Sequence, residues 1–133
     1  MNEDVQSWVE YATVDLRAAE VLYDADLWGQ TCFHAQQCVE KMLKAALIAH
    51  GKGYPRIHNI VELLALLDEN TAKKLADIAA EVGSLDEFYI PTRYPEALAG
   101  ALPDRMPERE DAAEALDLAR RIFAIMQGVL QQQ

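Results

Sequence analysis

The chain has 133 residues, 51% of them hydrophobic and 26% charged, with 22 acids against 12 lysines and arginines for a net charge of -10. That size suits one domain spanning residues 1–133, large enough to fold without disulfides or a metal. The acidity argues against a broad duplex-binding surface, and no run approaches the roughly 20 apolar residues of a membrane span. The acidic start, Met1-Asn2-Glu3-Asp4, resembles neither a signal peptide nor a transit peptide. The two cysteines, Cys32 and Cys38, are six apart on one expected helix. At about 9 Å along the axis they are too far apart to pair. Free thiols and the absence of a membrane segment make a cytoplasmic protein the expectation.

In chain order, Val5, Trp8, Ala12, Leu16, Ala19 and Leu22 form one apolar stripe and predict a first helix over 5–23. Trp28 and Gly29 mark a short turn. A second helix is expected over 31–50, with Val39, Leu43, Ala46 and Leu47 facing inward; Gly51, Gly53 and Pro55 end it. Asn59 with Glu62 resembles a capping box opening a third helix that bears Ile60, Leu63, Leu64 and Leu67. A fourth is expected over 71–88 with Leu75, Ile78, Val82 and Leu85 inward, weakened at Gly83.

Residues 89–107 break the pattern and hold four of the five prolines, and long loops of this kind are often functional. The last helix is expected to start near Pro107, with Glu108, Glu110 and Asp111 early and Arg120 and Arg121 later, an order that suits the helix dipole. Its stripe is Ala112, Leu116, Ala119, Phe123, Met126 and Leu130. No alternating β pattern occurs. The expected architecture is an all-α antiparallel bundle of four to five helices.

The most informative stretch runs from Lys41 to His58. It holds Lys41, Lys44, His50, Lys52, Arg56 and His58 and no acid at all. In so acidic a chain it suits an anion such as phosphate, although from the residues alone a solvated helix face followed by a plain loop is the better reading. Gln37, Lys41 and Lys44 share one helix face at i, i+4 and i+7, and Glu40 can pair with Lys44. Such a stripe matters only if its helix is central to the bundle. Arg93-Tyr94-Pro95 offers a planar fork for phosphate and a ring for a base, or else an arginine paired with an acid beside a packed tyrosine. His34 and Cys38 at i, i+4 could set a thiol beside an imidazole, although a buried structural cysteine is the better reading. The remaining histidines and cysteines have no metal-ligand spacing, and no glycine-rich phosphate loop occurs.

Several of these pieces combine. Ala12-Thr13-Val14-Asp15-Leu16 with Ala18-Ala19 is followed by Phe33-His34-Ala35-Gln36-Gln37-Cys38-Val39-Glu40-Lys41-Met42-Leu43-Lys44-Ala45, then Ile57-His58-Asn59-Ile60 and Arg93-Tyr94-Pro95. In this order the chain resembles the HEPN domain family, the higher-eukaryote and prokaryote nucleotide-binding domain, over nearly its whole length. The resemblance implies a bundle like the substrate-binding subunit of nucleotidyltransferases, usually a homodimer, that binds a nucleotide such as ATP or GTP, or RNA. It also implies a separately encoded minimal nucleotidyltransferase as partner in a toxin–antitoxin-like pair. Gln37, Lys41, Lys44, His58, Arg93 and Tyr94 would then line the ligand cleft, with no catalytic residue, metal or cofactor.

Ribonucleases of this family carry an arginine followed four to six residues later by a histidine. Arg56 and His58 are two apart, and no other pair fits. Cleavage by that motif is therefore not expected. Arg17 and Tyr23 match a modifiable Arg-to-Tyr variant of it, but on helix one, where the family does not place it. The alternatives are a ribonuclease toxin using His58 with Arg93, and a purely structural dimerisation module.

Overall fold

The computed structural model describes residues 2–53, 56–88 and 105–131. Arg93 and Tyr94 lie outside them. Every regular element among the described residues is a helix, without a strand: α1 (Glu3–Asp24), α2 (Trp28–Ala49), α3 (Ile60–Ala65), α4 (Glu69–Leu75), α5 (Ala79–Gly83), a 3-10 helix (Ser84–Phe88) and α6 (Arg109–Gln131). The expected all-α bundle is what forms, with α2 packed between α1 and α6 and the shorter helices covering its end.

The three long helices form where the apolar stripes predict them. Cys32, Ala35, Val39, Met42, Leu43 and Leu47 of α2 are buried against Ala112, Ala115, Leu118, Ile122 and Met126 of α6. Each large aliphatic side chain buried there contributes about 1.5–3 kcal/mol. Ala12 and Ala19 of α1 are also fully buried, and their small side chains let α1 lie close on α2. Asn2 caps α1 by accepting from the Val5 N–H at 2.8 Å.

Three boundaries differ from the sequence expectation. The first turn lies at 25–27, where Asp26 takes a positive φ of 62°; a short polar side chain tolerates that conformation. Trp28 and a buried Gly29 therefore already belong to α2. The expected fourth helix is three pieces. Its inward residues Val82, Leu85 and Phe88 are spaced by three, the period of a 3-10 helix, and tightening the chain there buries all three. The tighter turn also aims Asp86 at the start of α3, where it accepts from Ile60 N at 2.7 Å and Val61 N at 3.2 Å. Asn59 adds the expected cap, accepting from Glu62 N at 3.0 Å.

Finally, α6 starts at Arg109 rather than Pro107. Asp111 reaches back to Glu108 N at 2.8 Å and is gripped by both Arg105 nitrogens, at 2.7 and 3.1 Å. The Arg105 guanidinium holds that carboxyl below the usual carboxylate range. Arg120 and Arg121 lie in mid-helix rather than at its end, and Arg120 pairs with Glu20 of α1 at 2.9 Å.

Candidate functional site

Because α2 is the central helix, its polar stripe does not simply face water: part of it turns toward α1. His34 and Lys41 stand two turns apart on that face, and both bind Asp15 of α1. His34 Nδ1 lies 2.9 Å from Asp15 Oδ1, and Lys41 Nζ donates to Oδ2 at 2.5 Å. A carboxylate only accepts, so the imidazole donates from Nδ1 and its Nε2 is left for another partner. Burial pushes the Asp15 carboxyl up, but the His34 hydrogen bond and the Lys41 ammonium outweigh it. Its pKa falls below the usual 3.8. Lys41 and His34 remain partly exposed.

A second group lies further round α2. Glu40 Oε2 accepts from Lys44 Nζ at 3.2 Å and lies 3.2 Å from His58 Nδ1, while Lys44 Nζ is 3.4 Å from the same ring nitrogen. Lys44 also sits 5.5 Å from the centre of the Trp8 ring of α1, a cation–π contact. The side chains of Lys44 and Glu40 are 1% and 3% exposed; that of His58 is half-exposed. Lys44 thus does not project from α2 to meet a phosphate, as the helical stripe suggested. It lies beneath His58 and Trp8 and holds Glu40 in place. An open depression lined by Asp4, Trp8, Ile48 and Gly53 adjoins it.

Among the described residues, two buried atoms of this face have no hydrogen-bond partner: Gln36 Nε2 and Glu40 Oε1, one helical turn apart. Gln36 does accept from Gln37 Nε2 at 2.7 Å, which orients the Gln37 amide along the stripe.

The acid-free stretch from Lys41 to His58 is not one surface. Lys41, Lys44 and His58 join the groups just described. His50 pairs instead with Asp68 at 3.4 Å, and Lys52 donates to the Leu66 carbonyl at 2.5 Å. Of the six residues proposed from sequence, the structure brings Lys44 and His58 together and sets Lys41 and Gln37 on the adjoining part of α2; Arg93 and Tyr94 fall outside the described residues. Sequence reasoning overlooked Asp15, His34 and Trp8 as members of this site. One signal was present: Asp15 falls on the inward stripe of α1 between Ala12 and Ala19, where an acid must find a cation.

Cys38 is no nucleophile. Burial pushes its thiol up to about 12, and Cys32 likewise, so neither forms a thiolate near neutrality. Among the described residues no group of three or more His, Cys, Asp or Glu could hold a metal ion, and no helix is long and apolar enough to cross a membrane.

The chain as a whole is similar to known proteins. The HEPN domain model matches residues 5–129. "Putative toxin MJ1304" of Methanocaldococcus jannaschii is 29% identical, over 94% of this chain and 87% of its own. The crystal structure of ST0689, an archaeal HEPN homologue, superposes with a TM-score of 0.73 at 30% identity, covering 98% of this chain and 99% of its own. That of TT1696 from Thermus thermophilus superposes with a TM-score of 0.72 at 32% identity, covering 96% and 98%.

Proposed function

This chain belongs to the HEPN domain family, and from that premise we propose that it is the nucleotide-binding component of a toxin–antitoxin-type pair, partnered by a separately encoded minimal nucleotidyltransferase. The observation that carries the reading is the polar face of α2. With His58, which the segment before α3 lays beside it, this face gathers His34, Gln37 and Lys41 at solvent-accessible positions in a protein of net charge -10. Asp15 holds His34 and Lys41 from beneath, Glu40 holds His58, and Gln36 orients Gln37. The Lys41 ammonium and the Gln37 amide offer a phosphate group charge-assisted and neutral N–H donors. The relative named as a toxin supports the biological class.

Calorimetric titration with ATP and GTP tests the reading. Binding should weaken with salt, because charge drives it. Lys41→Ala or Arg93→Ala should cost about 1.5–3 kcal/mol of binding, as for a hydrogen bond to a charged group. Arg93→Ala should leave the melting temperature unchanged. A wild-type protein that binds neither nucleotide overturns it.

One observation favours a second reading, a ribonuclease using His58 with Arg93. Glu40 lies at His58 Nδ1, an arrangement that leaves Nε2 to act as a general base. RNA cleavage in the presence of a chelator that vanishes in His58→Ala would establish it; an intact RNA pool would remove it.

A further inference from the structure

Two stripes face each other where α1 packs on α2. On α1, Asp4, Trp8 and Asp15 follow at spacings of four and seven and share one side of the helix. On α2, Ile48 extends the stripe of Gln37, Lys41 and Lys44 by one more turn. The two run antiparallel: Lys41 binds Asp15, Lys44 sits at the Trp8 ring, and Ile48 lines one depression with Asp4 and Trp8. The polar face of α2 therefore continues into that depression, two helical turns or about 10 Å along α1 from Asp15.

The depression has a volume of about 320 Å³, the size of a site for a small molecule. Trp8 and Ile48 give it apolar walls of the kind a planar aromatic group packs against. Its one charged group is Asp4, which belongs to no ion pair among the described residues. A carboxylate accepts hydrogen bonds and donates none, so Asp4 repels a phosphate and suits an N–H donor. A nucleotide lying along the two stripes is thereby given a direction, with its phosphates toward Lys41 and Gln37 and its base toward Asp4.

We infer that this depression is the base subsite of the nucleotide site and that Asp4 makes it selective for guanine; the inference rests on the nucleotide reading. Guanine carries two adjacent donors on its Watson–Crick edge, N1–H and the N2 amino group, and the two oxygens of one carboxylate accept both. Adenine and cytosine set a single amino donor beside a ring-nitrogen lone pair, which would face the second Asp4 oxygen. Uracil sets its one N–H between two carbonyls. Only guanine satisfies Asp4 without placing an acceptor against it.

Calorimetry of the full chain with GTP, ATP and inosine triphosphate tests the subsite. GTP should bind about tenfold or more tightly than ATP, the ratio for one hydrogen bond to a charged group. Inosine triphosphate keeps N1–H but lacks the N2 amino group and should fall between them. Asp4→Asn replaces one acceptor with a donor, which matches the adenine edge, and should reverse the preference toward ATP. If Asp4 served only the N-terminus of α1, that variant would leave the ratio unchanged. In NMR spectra GTP should shift the indole N–H signal of Trp8 and leave that of Trp28, which lies against Tyr23 and Arg109, in place. Equal affinities for GTP and ATP, a ratio that Asp4→Asn does not move, or an unmoved Trp8 signal overturns the base subsite and leaves the nucleotide reading standing. A wild type that binds neither GTP nor ATP overturns both.

Discussion

Glu40 and Lys44 stand one turn apart on α2 and meet at 3.2 Å with almost no access to solvent. Placing two charges there is worthwhile only if each satisfies the other, because a lone buried charge costs several kcal/mol. Glu40→Leu should therefore destabilise the protein by about 3–5 kcal/mol, leaving Lys44 buried without its carboxylate. The double variant Glu40→Leu/Lys44→Met should recover most of that loss. Urea denaturation of the four proteins in a double-mutant cycle measures it; additive effects would show that the pair does not act as a unit.

Acid should weaken the bundle through Asp15. Its folded pKa lies below the usual 3.8 despite burial, because His34 and Lys41 favour the carboxylate. A depressed pKa means stability that is present above 3.8 and is lost as the pH falls through the lower folded value. The difference in melting temperature between wild type and Asp15→Asn should be largest above pH 4 and shrink on further acidification. A difference that is constant with pH would contradict the assignment.

Gly83 lets α5 lie against α3. A Cβ there would come within 3.0 Å of Val61 Cγ2. In a helix, alanine normally stabilises by about 0.5–1 kcal/mol relative to glycine. That gain should appear for Gly83→Ala in a Val61→Ala background and be reduced or reversed in the wild type. Thermal melts of the four variants give the coupling, and equal gains in both backgrounds would exclude the contact.

The Asp86 cap links the 3-10 helix to α3. Asp86→Ala should cost about 0.5–2 kcal/mol, the range for loss of a helix cap, and Asp86→Asn less, since the amide oxygen still accepts. Denaturant midpoints distinguish the two.

Much of this architecture was legible in the sequence because periodicity reports burial. The stripes of α1, α2 and α6 and the Asn59 cap are local patterns, and they form as read. The single long helix expected over 71–88 failed because Val82, Leu85 and Phe88 fit a period of three as well as 3.6; a tertiary bond from Asp86 decides between them. The site was legible as residue types but not as roles. Lys44 reads as a solvent-facing lysine from its own helix; only Trp8 and His58, distant in sequence, reveal that it is covered. Asp15 was concealed in the opposite way, as one acid among 22.

The most direct measurement of the proposed function follows the ring resonances of the three histidines while ATP is added. His34 stands on the polar face of α2 and His58 packs on it through Glu40, whereas His50 pairs with Asp68 away from it. The account predicts that the His34 and His58 signals shift together and saturably, that His50 stays in place, and that Lys41→Ala weakens the response. Signals that do not move, or a shift confined to His50, would contradict a nucleotide site on this face.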